Sequence, residues 1–172
     1  MSEIVENSLY DAWNNIKKKS NTEENRVGFK EREIFWVRVG QNIGAEEFGK
    51  GKEFQRPVLI VRKLTSRIFF GIPLTSTLKD DDYFHTFSYK SKKGMKKNSA
   101  MILQLKTFDK NRLMGRMGMI DKENFMQIKQ KITHLFIPQE NLTGLPEGEL
   151  QKDYNISSIK IQEKIDVKSE EL

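Results

Sequence analysis

The chain has 172 residues and contains no cysteine, two histidines and four prolines. The lack of cysteine excludes disulfide bonds, thiolate catalysis and cysteine-ligated zinc. Long apolar runs are missing too. None approaches the roughly 18 residues of a membrane-spanning helix, and the amino-terminal stretch lacks the apolar segment of a signal peptide. We therefore expect a soluble, cytoplasmic protein with one domain and terminal appendages.

Positive charge is in excess and lies mostly in the middle of the chain. The net charge is +6 and the isoelectric point is about 9.4. A cationic patch confined to one region predicts a polyanionic partner, and a solvated lysine-rich loop is the alternative. The patch comprises Lys90, Lys92, Lys93, Lys96, Lys97, Lys106, Lys110, Arg112 and Arg116.

The amino-terminal residues 1–30 are predicted to be an extension of the main domain. Leu9, Trp13 and Ile16 fall at helical spacing, which predicts one short amphipathic helix, followed by a polar linker over 17–28. An isolated helix of this length is marginal in water, so we expect its apolar stripe to dock on the rest of the protein.

Residues 31–137 carry the pattern of a folded domain. Asp121 is predicted to cap a helix that ends before Pro138. Strands followed by one packing helix indicate an α+β domain built on a curled antiparallel sheet. Residues 138–172 are predicted to form a linker and a tail with no clear period. The predicted strands cover 34–39, 58–63 (with Pro57 at its start), 68–74, 83–89 and 100–105.

Two polar residues at neighbouring strand ends are suited to chemistry on a phosphate. Arg56 precedes Pro57 where a loop enters a strand, and its planar guanidinium can grip a phosphate with two hydrogen bonds. Thr75 ends the next strand of the same hairpin, so the turn at 65–67 brings both residues to one open end of the sheet. The alternatives are an exposed arginine and a threonine present for its strand propensity. The prediction therefore rests on their pairing.

The remaining titratable residues are weaker candidates. His85 and His134 lie far apart in the sequence, and His134 is predicted to interact with carbonyls at a helix end. Asp80, Asp81 and Asp82 form a dense carboxylate run, which we predict to be solvated in an exposed turn. No metal or cofactor is therefore expected.

Four short motifs occur in an order that resembles the MazF/PemK family of toxin endoribonucleases. Gly44-Ala45-Glu46 matches a Gly-x-Glu loop, Arg56-Pro57 an Arg-Pro strand start, and 73–76 a Pro-Leu-Thr-Ser strand end. Segment 104–113 matches Gln-x-Arg-Thr-x-Asp-x-x-Arg-Leu. Lys106 replaces the first arginine of that motif, which keeps the charge but loses the planar fork.

The resemblance implies a small SH3-like barrel of the PemK/CcdB type with a carboxy-terminal helix, which cuts single-stranded RNA at short sequences. It implies products with a 2′,3′-cyclic phosphate and a 5′-hydroxyl. The family's catalytic arginine and threonine fall on Arg56 and Thr75, and Glu46 matches the loop acid. Since the residues show no ligand cluster, we expect cleavage without metal. RNA contacts are expected from Ser76, Lys92, Lys93, Lys96, Lys97, Gln104 and Lys106.

The resemblance also implies partners. A homodimer is expected, with Trp36 in the core and the apolar segment 101–119 near the interface. A cognate antitoxin is expected to reach the groove with an extended acidic segment.

Two other functions stay open for such a barrel. Toxins that bind DNA gyrase use the same fold and need neither Arg56 nor Thr75 at the sheet end. A non-catalytic nucleic-acid-binding barrel would use the lysines over 90–97 for phosphate contacts and aromatic residues for stacking. Those aromatic residues are Tyr83, Phe84 and Phe87.

Overall fold

The computed structural model describes residues 3–137, with side chains from Ser8 onward. The predicted linker and tail over 138–172 lie outside the described residues. One compact unit lies within Met1–Ile132, and the last helix continues to Phe136. No helix in the described part of the chain is long and apolar enough to cross a membrane.

Two helices and seven strands make up residues 3–137. Helix α1 covers Glu3–Thr22 and helix α2 covers Lys122–Phe136. Short 3₁₀ helices at Ile102–Gln104 and Lys110–Arg112 flank the sixth strand. The strands are β1 Glu33–Arg38, β2 Gln55–Lys63, β3 Ile68–Thr75, β4 Phe84–Ser91, β5 Gly94–Met101, β6 Lys106–Asp109 and β7 Leu113–Met119.

Six of these strands close into an antiparallel barrel. Their order around the ring is β2-β1-β7-β4-β5-β3, and pairing of β2 with β3 closes it. β6 pairs with residues 68–71 of β3, and β5 pairs with the end of β3 at Leu74 and Thr75. Closure satisfies strand edges that would otherwise stay unpaired. The predicted class, a curled α+β barrel with a carboxy-terminal helix, is confirmed.

The sheet is buried on both faces near β1 and β2. Ile34 and Leu59 belong to one apolar cluster, which α2 covers, whereas Phe35 and Val58 belong to another. Neighbouring residues of a strand point to opposite faces, so burial on both sides explains the continuous apolar runs of these strands. As predicted, Asp121 caps α2: its Oδ1 accepts a hydrogen bond from the Asn124 amide at 2.9 Å.

Pro57 lies inside β2, not at its start as predicted. β2 begins at Gln55, and at Pro57 the strand pairs with Trp36 of β1. Pairing of β2 with β3 starts only at Val58. The missing N–H of proline is therefore accommodated where the strand has a partner on one side alone.

The predicted strand at 100–105 is wrong beyond Met101. There the chain leaves β5, turns through the 3₁₀ helix Ile102–Gln104 and enters β6. β7 was not predicted as a strand. Gly115 and Gly118 interrupt its apolar alternation, and at Gly118 a side chain would meet the Lys90 carbonyl and the Tyr89 ring.

Helix α1 is longer than predicted and is anchored by Trp13. Its indole is 6% exposed and its ring lies 5.6 Å from that of Phe54. The ring also fills the space beside Gly40, where a Cβ would come within 2.5 Å of it, and Gly40 has a φ of +102°. Tyr10 donates a hydrogen bond to the Asn42 carbonyl at 3.0 Å. Helix α1 therefore braces the loop 39–54 between β1 and β2.

Trp36 does not lie in the core of the protomer. Its side chain is half-buried and lines two open grooves.

Candidate functional site

Arg56 is a buried cation near the start of β2, where the loop 39–54 enters the strand. The residue is 8% exposed. Its Nε donates to the Phe48 carbonyl at 2.6 Å, and its Nη2 forms an ion pair with a carboxylate oxygen of Glu47. The Phe48 ring lies 5.9 Å from the guanidinium carbon. The loop thus orients the guanidinium, and Arg56 also borders an open groove.

The carboxylate on Arg56 is that of Glu47, not that of Glu46. The side chain of Glu46 is exposed, and its Oε2 accepts from the Ile43 amide at 3.4 Å within its own turn. Gly44, with a φ of +59°, shapes this turn. Because the turn directs Glu46 outward, the next residue carries the acid that contacts Arg56.

Thr75 lies at the same end of the barrel as Arg56. Val58 pairs with Pro73, and Arg56 and Thr75 each lie two residues further along their strands, so both are at the open end of the β2–β3 pair. Thr75 Oγ1 accepts from the Thr77 amide at 3.2 Å. Its carbonyl accepts from Asn98 Nδ2 at 3.0 Å. The hairpin therefore places a hydroxyl and a guanidinium at one sheet end, as the sequence predicted.

An open groove of about 230 Å³ lies beside Arg56. It combines cations, a hydroxyl and an amide with an aromatic face, which are the groups that hold phosphates and bases of a single strand. Besides Arg56, its residues include Lys50, Lys96, Ser76, Asn98 and Trp36.

The lysine-rich segment forms a hairpin that extends this groove. Lys92 and Lys93 make the turn between β4 and β5, and Gly94 follows with a φ of +106°. A second groove of about 220 Å³ is lined by Lys92, Lys93 and Arg116. It shares Trp36, Lys96 and Met117 with the first groove, so the two are continuous. Lys97 lines neither groove, because successive residues of β5 point to opposite faces.

Gln104 supports the loop instead of facing the Arg56 groove. Its Oε1 accepts from the Glu47 amide at 2.9 Å, and its Nε2 donates to the Ala45 carbonyl at 3.1 Å. Lys106 lines a neighbouring groove with Glu46. Burial lowers the pKa of Lys106, Arg112 acts in the same direction, and the carboxylates of Glu46 and Glu47 oppose the shift.

The histidines and the aspartate run stand apart from the groove. His85 is 5% exposed, and its Nε2 lies 2.9 Å from Asn124 Oδ1. Asp80 pairs with Lys131 at 3.2 Å, and Asp81 Oδ1 accepts from the Tyr83 amide at 2.8 Å. Within residues 3–137, no group of three or more His, Cys, Asp or Glu residues is placed to hold a metal ion.

Solved structures share this fold. The crystal structure of MazF (Form-I) from Deinococcus radiodurans aligns with a TM-score of 0.50 and 13% identity, over 64% of this chain and 97% of that one. An endoribonuclease from mycobacterial species has a TM-score of 0.49 and 14% identity, over 67% and 98%. A mycobacterial endoribonuclease in complex with its cognate antitoxin has a TM-score of 0.48 and 14% identity, over 63% and 95%. At these identities the likeness concerns the fold alone.

The sequence profile of a toxin family also matches the barrel. The PemK-like, MazF-like toxin family of type II toxin–antitoxin systems matches residues 30–136. The chain therefore belongs to this family, which is known for endoribonuclease toxins. No curated protein sequence matches the chain.

Sequence reasoning missed Glu47, the partner of Arg56, and it missed residues that line the groove, among them Lys50 and Trp36. Glu47 follows the motif acid directly, so a one-residue shift of the expected match would have found it. Lys50 lies in a loop whose path the sequence does not show. Trp36 was expected in the core, because an aromatic residue in an apolar strand usually faces inward.

Proposed function

We propose that this protein is a metal-independent endoribonuclease toxin that cuts single-stranded RNA at specific short sequences. The observation that supports it most is the Arg56–Glu47 pair beside a cationic groove, with Thr75 at the same end of the barrel. Membership of the MazF/PemK-like family supports the same reaction class. We propose the cytoplasm as its place of action.

The proposed reaction is a transesterification at phosphorus in which the 5′-oxygen is the leaving group. The 2′-oxygen bonds to phosphorus while its proton passes to a base. The bond from phosphorus to the 5′-oxygen then breaks, and this oxygen takes up a proton. A 2′,3′-cyclic phosphate and a 5′-hydroxyl result. Charge builds up on the non-bridging oxygens in the transition state, where preoriented donors are most effective.

Arg56 is proposed to stabilise that charge with its guanidinium. Glu47 and the Phe48 carbonyl hold the guanidinium before RNA arrives, so little ordering is needed during the reaction. An arginine side chain is not deprotonated in proteins, so it suits charge stabilisation and not the role of a free base. Thr75 is proposed to hold the scissile phosphate or polarise the 2′-hydroxyl through Oγ1. Glu47, and not the motif acid Glu46, is proposed to orient Arg56.

RNA is proposed to follow the continuous groove along Trp36. Ser76 and Lys96 line it beside Arg56, and Lys92 and Lys93 line its extension. Lys106 is proposed to add charge at the neighbouring groove, while Gln104 acts through the loop. Lys97 is assigned no direct contact.

The toxin class implies a protein that neutralises it. We propose a cognate antitoxin with an extended acidic segment, which competes with RNA for the cationic groove. The support is membership of a family of type II toxin–antitoxin systems together with the cations along the groove.

The test is cleavage of labelled single-stranded RNA by Arg56→Ala and Thr75→Val variants in the presence of EDTA. Loss of one preorganised donor should slow cutting by about a hundred- to a thousand-fold, with RNA binding kept within about ten-fold. Arg56→Lys should restore little, because an ammonium lacks the planar fork. Arg62→Ala is the matched control: Arg62 lies on the same strand with an exposed side chain paired to Glu31.

Several outcomes would reject the proposal. If EDTA abolishes cleavage and magnesium or zinc restores it, the reaction depends on metal. RNA binding without cleavage would indicate a nucleic-acid-binding barrel, and neither binding nor cleavage would leave the gyrase-binding alternative. If Arg56→Ala and Thr75→Val cut at the wild-type rate, the site lies elsewhere.

A further inference from the structure

An open cleft lies between α1 and the 3₁₀ helix Lys110–Arg112, apart from the Arg56 groove. Its volume is about 480 Å³. Lys17 and Lys18 of α1 line one side, and Arg67 and Arg112 belong to the barrel side. Asp109 is the carboxylate among its lining residues.

Most of the positive charge in this cleft is not neutralised. Asp109 pairs with Arg67 at 3.1 Å, and its other oxygen accepts from the Asn111 amide at 2.8 Å. Within residues 8–137, Lys17, Lys18 and Arg112 form no ion pair. Like charges held side by side without a counter-charge repel each other, and an anion in the cleft relieves that repulsion.

The cleft is rigidly built. Arg112 Nη1 donates to the Arg38 carbonyl at 2.9 Å, and its guanidinium lies 5.4 Å from the Trp13 ring. Arg38 in turn donates to Ser20 Oγ of α1 at 3.1 Å. Burial lowers the pKa of Arg112, and the charge of Asp109 opposes this shift. The arginines on the barrel side are thus positioned before a ligand binds, whereas Lys17 and Lys18 are exposed on α1.

Lys106 is a further cation near the loop of the candidate site. The charge of Arg112 acts on Lys106, which lines the groove next to the loop 39–54. That loop carries Glu47, the partner of Arg56. A polyanion long enough to reach beyond the Arg56 groove on this side of the barrel would find further positive charge at Lys106 and Arg112.

We propose that the α1 cleft binds the phosphates of single-stranded RNA, as a sequence-independent contact region beyond the Arg56 groove. The identity of the polymer rests on the proposed function, whereas anion binding rests on the cleft itself. An acidic peptide fits less well. Many peptide-recognition modes add apolar anchor residues in pockets to any contact between charges. The aromatic ring in this cleft, Trp13, is 6% exposed and lies beneath Arg112.

The test is equilibrium binding of 2′-O-methylated single-stranded RNA longer than the roughly 16 nucleotides that one small barrel covers at most. This RNA has no free 2′-hydroxyl, so a nuclease binds it without cutting it. The slope of log affinity against log salt is negative for RNA binding. The double variant Lys17→Ala/Lys18→Ala should reduce the magnitude of this slope by about 1.4, which is about 0.7 for each of two phosphate contacts. Both lysines are exposed on α1, so the fold should be unaffected.

The matched control is Lys30→Ala/Lys122→Ala, which removes the same charge from two exposed lysines outside the cleft. Its slope should equal that of the wild type. An oligonucleotide of about 4 nucleotides is too short to fill both regions. With this oligonucleotide the two double variants should have the same salt slope of binding.

An unchanged slope for Lys17→Ala/Lys18→Ala, or an equal loss in the control, would overturn the proposal. So would a variant that keeps its RNA slope but no longer binds an oligo-glutamate peptide, since the cleft would then be a site for acidic peptides. If Lys17→Ala/Lys18→Ala cuts RNA normally and its salt slope is unchanged, RNA binding by the cleft is rejected while the nuclease function is kept. A slope lowered only in Lys17→Ala/Lys18→Ala, in a protein that does not cut RNA, would support the cleft and reject the nuclease.

Discussion

At the scale of single residues, the burial of Arg56 dictates its surroundings. A charged side chain at 8% exposure needs a counter-charge or hydrogen bonds to stay ionised. Glu47 and the Phe48 carbonyl meet this need from the loop 39–54. A guanidinium positioned in this way, with one edge on the loop and a groove beside it, is suited to binding a phosphate.

Glu47→Gln should slow RNA cleavage by about ten-fold or more and lower the free energy of unfolding by about 1–3 kcal/mol, because it leaves a buried cation without its carboxylate. Single-turnover cleavage and denaturant unfolding measure the two effects. Glu46→Gln is the matched control and should change neither, since Glu46 is exposed and contacts its own turn. The opposite ranking of the two variants would restore Glu46 as the partner of Arg56.

At the scale of elements, the loop 39–54 depends on α1. Trp13 packs on Phe54 and beside Gly40, at the two ends of the loop that holds Arg56. Helix α1 is therefore part of the folded unit and not a loosely attached extension. This arrangement links a helix outside the barrel to the geometry of the candidate site.

Trp13→Ala should lower the free energy of unfolding by about 3–5 kcal/mol, the usual effect of removing a buried aromatic side chain. At a temperature where the variant stays folded, kcat for RNA should fall while KM changes little, because the loop positions Arg56 more than it binds RNA. Denaturant titration and steady-state kinetics measure this. Asn15→Ala, on the exposed side of α1, should match the wild type in both. A destabilised variant with unchanged kcat would show that α1 stabilises the fold without positioning the site.

The β4–β5 hairpin gives a second prediction at the scale of elements. Replacing Lys92, Lys93 and Lys96 with alanine should lower the salt slope of single-stranded RNA binding by up to about 2, or about 0.7 per phosphate contact. Lys97→Ala should have little effect, since Lys97 faces away from both grooves. Filter binding at several salt concentrations measures the slopes. Equal slope losses per lysine at all four positions would mean that only net charge matters.

At the scale of the whole molecule, assembly stays a prediction. Trp36 and Met117 are partly buried and line open grooves, and Met119 is 37% exposed. Apolar side chains at the surface favour association.

Sedimentation equilibrium should therefore give twice the monomer mass of 20.2 kDa. The homodimer should persist across micromolar concentrations. Replacing an exposed apolar residue such as Met119 with aspartate should shift it to monomer. A mass equal to the monomer throughout that range would contradict the homodimer.

The sequence by itself determined four of the six barrel strands, β1 to β4, the capped helix α2 and the position of Arg56 and Thr75 at one end of the β2–β3 hairpin. These features depend on local patterns: a period of two, a capping aspartate and the register of one hairpin. Because the turn at 65–67 joins β2 and β3 as a hairpin, it brings the start of β2, with Arg56, and the end of β3, with Thr75, to the same end of the sheet.

Only the tertiary structure decided which acid meets Arg56, where Trp36 faces and what α1 does. Each depends on contacts between residues distant in sequence. Gln104 holds the loop in the shape that presents Glu47, and Trp13 docks beside Gly40. A local pattern shows that a strand or helix has an apolar face, but not which distant surface that face will cover. The loop geometry and the α1 cleft arise when the barrel closes and those surfaces meet.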